Sequence, residues 1–194
     1  MAGGHEEAAA ARALLASTVV WAENMDLVKG VDIPAEIAVP ERQSLQGAVL
    51  GEGHQHYEFN GTAWVLQNAT AKLYKSASGD DEVGRHFYLA EPDALGGRPT
   101  WESVDGCDSP TELISAVTAK GVVAYSVDSD AITWNLLNAT SHYGNTRQPL
   151  GHVTYVQRIQ TRGGLPPSTT EGVNKGAIHS SKYYATYAFY AQST

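Results

Sequence analysis

Cysteine is almost missing from this chain: Cys107 is the single one in 194 residues. That excludes an intrachain disulfide framework and a cysteine-rich zinc site. Positive charge is also scarce. Lys and Arg total 13 against 21 Asp and Glu, a formal net charge of −8, and no basic cluster occurs, so nucleic acid is excluded as the main partner. No apolar run is long enough for a transmembrane helix, so no membrane span is expected. No Gly-x-Gly-x-x-Gly lies between a strand and a helix. Gly51-Glu-Gly53 runs into His54-Gln-His56 and reads as strand, which makes dehydrogenase activity of the usual nicotinamide kind an unexpected role. The Gly-x-Ser-x-Gly elbow of many hydrolases is absent too. What remains, 42 % hydrophobic and 18 % charged residues, is the composition of a folded globular domain.

Residues Glu6 to Trp21 are Ala-rich with Leu14, Leu15 and Val19 at helical spacing, which predicts a short N-terminal helix within a segment 1–29. His5, Glu6 and Glu7 precede its apolar run and Arg12 interrupts it, so it does not read as a secretory signal. Pro34 and Pro40 bracket Ala35–Val39, and 30–44 reads as an extended linker. The main β domain is expected over 45–194.

That domain carries internal similarity. Leu45-Gln-Gly-Ala-Val49 matches Leu113-Ile-Ser-Ala-Val117, then Gly53 and Tyr57 match Gly121 and Tyr125. Trp64-Val-Leu66-Gln-Asn68-Ala-Thr70 matches Trp134-Asn-Leu136-Leu-Asn138-Ala-Thr140. Gly84, Tyr88 and Gly96-Gly97-Arg-Pro99 match Gly151, Tyr155 and Gly163-Gly164-Leu-Pro166. The order is kept, so the reading is two copies of about 52 residues, 45–97 and 113–164, too few for a solenoid and suited to a closed sandwich or barrel. Alternation at Thr62–Leu66 and Ala131–Leu136, and the β-branched and aromatic residues of Val153–Gln160, predict strands, and Asn60-Gly61 and Ser78-Gly79-Asp80 mark turns. In the tail, Lys182–Tyr190, alternate residues Tyr183, Ala185, Tyr187 and Phe189 line one face. Ser109-Pro-Thr-Glu112 forms a capping box that alone predicts a helix over 111–119. The match to Leu45–Leu50 favours a strand there. The fold class expected is all-β.

Two clusters suggest chemistry. His54 and His56 share a strand face, a spacing suited to a divalent transition metal, with His86 and Glu58 as further ligands. Their counterparts in the second copy are Val122 and Ala124, so the repeat does not demand them. A cupin has a similar His-x-His, but with its Glu further on. The plainer reading is two surface histidines. Trp101, Glu102 and Asp105 offer carboxylates beside an aromatic, suited to ligand binding or acid–base work on a sugar; the alternative is a core Trp beside a turn. Arg158, in an apolar strand, is expected to pair with Glu102 or Asp105. Three sequons, at Asn60, Asn68 and Asn138, suggest glycosylation.

The strings Val83-Gly84-Arg-His86-Phe-Tyr88, Pro99-Thr-Trp101-Glu102-Ser-Val-Asp105-Gly106 and Gln157-Arg158-Ile-Gln-Thr161-Arg-Gly163-Gly164-Leu-Pro166, with the closing Tyr183–Tyr190 run, resemble the family of domain of unknown function 3455. Its members are mostly secreted, in fungi and bacteria, and many carry an automatic malate dehydrogenase label. The resemblance covers roughly residues 30–191 and implies the fold and secretion, with no catalytic residues to carry over. Many members have two cysteines, and the corresponding positions here are about Phe59 and the Ser168–Glu171 stretch.

The expected function is that of a secreted or cell-surface non-enzymatic protein, structural or ligand-binding, with a glycan or small molecule as partner and self-association through sheet edges. The alternatives are a metal-dependent enzyme using His54, His56 and His86, and a carbohydrate-binding module.

Overall fold

Eight strands follow one another along the chain: β1 (Gln43–Phe59), β2 (Trp64–Tyr74), β3 (Glu82–Tyr88), β4 (Pro99–Val104), β5 (Leu113–Tyr125), β6 (Trp134–Gly144), β7 (Tyr155–Gly163) and β8 (Ile178–Gln192). This computed structural model describes residues 23–76, 79, 81–104, 113–145 and 147–193. Each strand pairs antiparallel with the next, and β8 pairs back onto β1 from Gln43↔Gln192 to Glu58↔Ile178, closing a barrel. The all-β expectation holds, and barrel is the architecture. The segment with the competing helix signal is strand β5, whose backbone is claimed by ladders to β4 and β6. The predicted helix over 6–21 lies outside the described residues, as do Asp105 and Cys107.

One apolar cluster joins Val49, Leu73, Trp101, Val117, Leu137, Val156, Tyr187 and Phe189. It draws on strands all round the ring, so it fills the inside of the barrel. Strand alternation puts Gly51, Gly53, Gln55, Tyr57 and Phe59 of β1 inward and His54, His56 and Glu58 outward. The inward glycines answer to the aromatics opposite. A Cβ on Gly51 would lie 2.6 Å from Cε2 of Tyr187, so the ring of β8 occupies the volume that a side chain on β1 would need. Burying each such large apolar side chain contributes about 1.5–3 kcal/mol.

A second cluster lies outside the barrel. Val28, Val31, Ile33, Ile37 and Val39 pack on Tyr125, Trp134, Leu136, Tyr155 and Ile159, and Gln157 Nε2 donates to the Ile37 carbonyl over 2.7 Å. The stretch read as an extended linker thus contains a 3₁₀ turn, Ala35–Ile37, and straps the outer wall of β5–β7. Of the matched repeat segments, Leu45–Val49 and Leu113–Val117 lie in β1 and β5, and Trp64 and Trp134 open β2 and β6. Gly84 lies in β3, whereas Gly151 lies in a 3₁₀ turn, Pro149–His152.

The wall is uneven. β3 stops at Tyr88 and β4 starts at Pro99, while their neighbours β2 and β5 run further, to Trp64 and Tyr125. Beyond Thr70↔Phe87 and Thr100↔Thr118 the facing edges of β2 and β5 have no strand beside them. Asn68 Oδ1 partly substitutes for the ladder by accepting from the Tyr88 amide over 3.1 Å. Phe59, Trp64, Tyr88, Tyr125 and Ile178 mark the upper end of the barrel.

Candidate functional site inside the barrel

Towards the upper end the interior turns from aliphatic to polar and aromatic. His86 of β3 stacks on Trp101 of β4 with ring centroids 4.6 Å apart and faces Tyr187 at 5.2 Å. Its Nδ1–H donates to the Thr100 carbonyl over 2.8 Å, which leaves Nε2 as a lone-pair acceptor. Burial, helped by the Arg158 charge, pushes the imidazole down to about 3, so His86 is neutral at ordinary pH. The Tyr183 and Tyr187 hydroxyls share a 2.8 Å hydrogen bond. Burial holds Tyr183 up at about 12 and Tyr187 well above the ordinary phenol value. Tyr57 donates to the Gly164 carbonyl over 2.7 Å.

Arg158 of β7 brings the charge. Its inward neighbour in the apolar cluster is Val156, while Gln157 and Ile159 face the outer strap, so alternation turns Arg158 inward. Nε and Nη2 donate to the Thr133 carbonyl over 3.1 and 2.8 Å. Its charge acts on Tyr57, His86, Tyr183 and Tyr187. Among the described residues no carboxylate pairs with it. The expected pair with Glu102 does not form: Glu102 lies opposite Arg85 in the β3–β4 register and is bonded to it on the outer face.

Among the described residues two buried side-chain donors have no partner, Gln55 Nε2 and Trp101 Nε1, and each residue is only 1 % exposed. Unsatisfied buried donors are costly, and each calls for a water or a ligand. The Gly163-Gly164 turn closes in beside Gln55. Both glycines have positive φ, 65° and 83°. A Cβ on Gly164 would stand 2.8 Å from Cβ of Tyr183, 3.0 Å from Ile132 Cγ2 and 3.3 Å from Gln55 Cγ. Backbone bonds from Ile132 N to Gly163 O and from Gly164 N to Lys182 O, both 2.9 Å, fix the turn there.

The two clusters expected from sequence are divided by the wall. His54 and His56 share the outer face, rings 6.2 Å apart. His56 is bonded through Nδ1 to Ser180 Oγ and through Nε2 to Thr70 Oγ1, both at 2.9 Å. His86 lies inside, so the three histidines do not form one ligand set, and no group of three or more metal-ligating side chains occurs among the described residues. Trp101 is inside and Glu102 outside. Of the sequons, Asn60 and Asn138 are exposed. Asn68 is half-buried, and its Oδ1 accepts from Ala69 and Tyr88. Sequence reasoning missed Gln55 and Tyr57, although the His-x-His alternation that turns the histidines outward turns both of them inward.

A closed antiparallel barrel with an aromatic, donor-rich interior and a guanidinium that no carboxylate among the described residues meets belongs to the class of small β-barrels whose contents, not fold, decide their role. Within that class, this chain belongs to the family described as Protein of unknown function (DUF3455), whose model matches residues 40–191. No curated protein matches the chain, and no solved structure does.

Proposed function

We propose that this is a secreted or cell-surface, non-enzymatic barrel that binds one small planar molecule in its upper interior. The observation that carries the reading is the pair of partnerless buried donors, Gln55 Nε2 and Trp101 Nε1, beside stacked aromatic rings. Eight strands enclose room for side chains or one small ligand, and the shortness of β3 and β4 offers an approach at Tyr88. The exposed sequons at Asn60 and Asn138 support the glycoprotein reading, and the family resemblance supports secretion.

The test is a titration with the neutral fluorophore N-phenyl-1-naphthylamine, following energy transfer from tryptophan. The expected result is saturable 1:1 binding with transfer that falls sharply in Trp101→Phe. Non-saturable uptake, or transfer unchanged in that variant, overturns the reading.

A second reading, self-association, is favoured by the free edge of β5, where Val122 is 55 % exposed beside Val123. An apolar edge without a ladder partner is a template for pairing with another copy. Sizing of the wild type against Val122→Lys tests it: a dimer lost in the variant supports the reading, and two monomers refute it.

A further inference from the structure

We propose that the interior site selects an anion, a planar aromatic carboxylate, and that Arg158 is the residue that reads its charge. This rests on the lumen being a ligand site and adds the chemical class of the ligand. Arg158 is half-buried and faces inward, and the bonds of its Nε and Nη2 go to neutral oxygens of Thr133, the carbonyl and, at 3.4 Å, the hydroxyl. A carbonyl satisfies donors and does not neutralise charge, so the guanidinium stands in the interior without a counterion among the described residues. A partly desolvated cation without a counterion is costly, and a bound anion removes the cost.

The surroundings ask for the same partner. Among the described residues Gln55 Nε2 and Trp101 Nε1 are buried donors without acceptors, and together with Arg158 they outnumber the lone pair left on His86 Nε2, so the site's missing complement is an acceptor. Neither histidine nor tyrosine competes for that role with a negative charge: His86 is neutral, and the Tyr183 and Tyr187 phenols bond each other. The stacked His86–Trp101 pair and the Tyr57, Tyr183 and Tyr187 rings supply flat apolar surface, which suits an aromatic body behind the carboxylate.

The experiment compares 2-naphthoate with 2-naphthamide, which share one ring system and differ in charge, each displacing N-phenyl-1-naphthylamine from the wild-type protein. A buried charge-assisted contact predicts that the acid binds about 10–100-fold tighter than the amide. In Arg158→Gln that preference should fall to within about twofold, and in Arg158→Lys part of it should survive. Equal affinities of acid and amide for the wild type overturn the anion assignment and leave the lumen site standing. Failure of the neutral fluorophore to bind at all removes the lumen site itself, and the assignment with it. Because the acid–amide comparison uses the wild type, it decides the anion assignment even if the Arg158→Gln protein does not fold, and Arg158→Lys, which keeps the charge, then tests the role of Arg158.

Discussion

Tyr183 and Tyr187, four residues apart on β8, turn the same way and join their hydroxyls over 2.8 Å inside the barrel. Sharing this bond lowers the cost of burying both phenols, because the proton of one hydroxyl is met by the oxygen of the other. Tyr187→Phe should therefore cost more than the loss of one oxygen suggests. The expected destabilisation is about 1–3 kcal/mol in chemical denaturation, with the double variant Tyr183→Phe/Tyr187→Phe costing less than the two single changes added together. Additive costs would show that the pair is not a unit.

The same two phenols set an alkaline limit. Their ionisation is raised in the folded state, with Tyr183 at about 12. The unfolded chain loses these protons first, near 10, so folding stability is intact below that pH and falls as pH rises towards 12. Tyrosinate absorbance should show two of the ten tyrosines ionising only as the protein unfolds. Ordinary titration of every tyrosine in the folded protein would contradict this.

His86 sets the acid limit. Its folded-state value of about 3 lies below the unfolded value near 6.5, so the unfolded chain takes up the proton first as pH falls. Stability is present above pH 6.5 and is lost between 6.5 and 3, at a slope approaching about 1.4 kcal/mol per pH unit from this group. His86→Gln should have a lower stability at pH 7 and a flatter dependence over that window. A wild-type stability curve that is flat from pH 6.5 to 4 would refute it.

Gly164 and Gly172 separate two costs of adding a methyl group. Both have positive φ, 83° and 72°, but only Gly164 has neighbours within reach. Gly172→Ala should cost about 1 kcal/mol for backbone strain. Gly164→Ala should cost at least about 2 kcal/mol, because it adds a clash with Tyr183 and Ile132. Thermal denaturation of the two variants side by side provides the measurement.

Ile37 anchors the outer strap. Ile37→Ala should cost about 2–5 kcal/mol if the strap is part of the cooperative unit. Limited proteolysis near residues 28–39 should be faster in the variant. Unchanged stability would show that the strap docks independently of the barrel.

Much of the wall was legible in the sequence, because period-two alternation reports directly which residues a strand buries. Alternation places Tyr183, Ala185, Tyr187 and Phe189 on one face, and all four are buried. The same rule correctly put His54 and His56 together. It could not say that His86, on a different strand, faces the opposite side of the wall, since alternation gives relative facing within a strand and nothing between strands. Arg158 drew attention as a charge in an apolar strand. Of its two expected partners, Asp105 lies outside the described residues, and cross-strand register between β3 and β4 gives Glu102 to Arg85. The linker reading of 30–44 used two prolines and could not register that Ile37 fits a patch made by three strands far along the chain.

The ring closes between its first strand and its last. The longest ladder begins at Gln43↔Gln192, so the pairing that covers the open side of β1 waits until β8 has been made. Until then β1 has an open side of 17 residues, with Gln55 and Tyr57 uncovered and the seat of Tyr187 empty. A chain with so much sequence between its closing partners is expected to fold slowly. It is also expected to expose a sticky β edge throughout its synthesis. Loss of β8 would then do more than shorten the barrel: it would fix the protein permanently in the state that every newly made copy must leave.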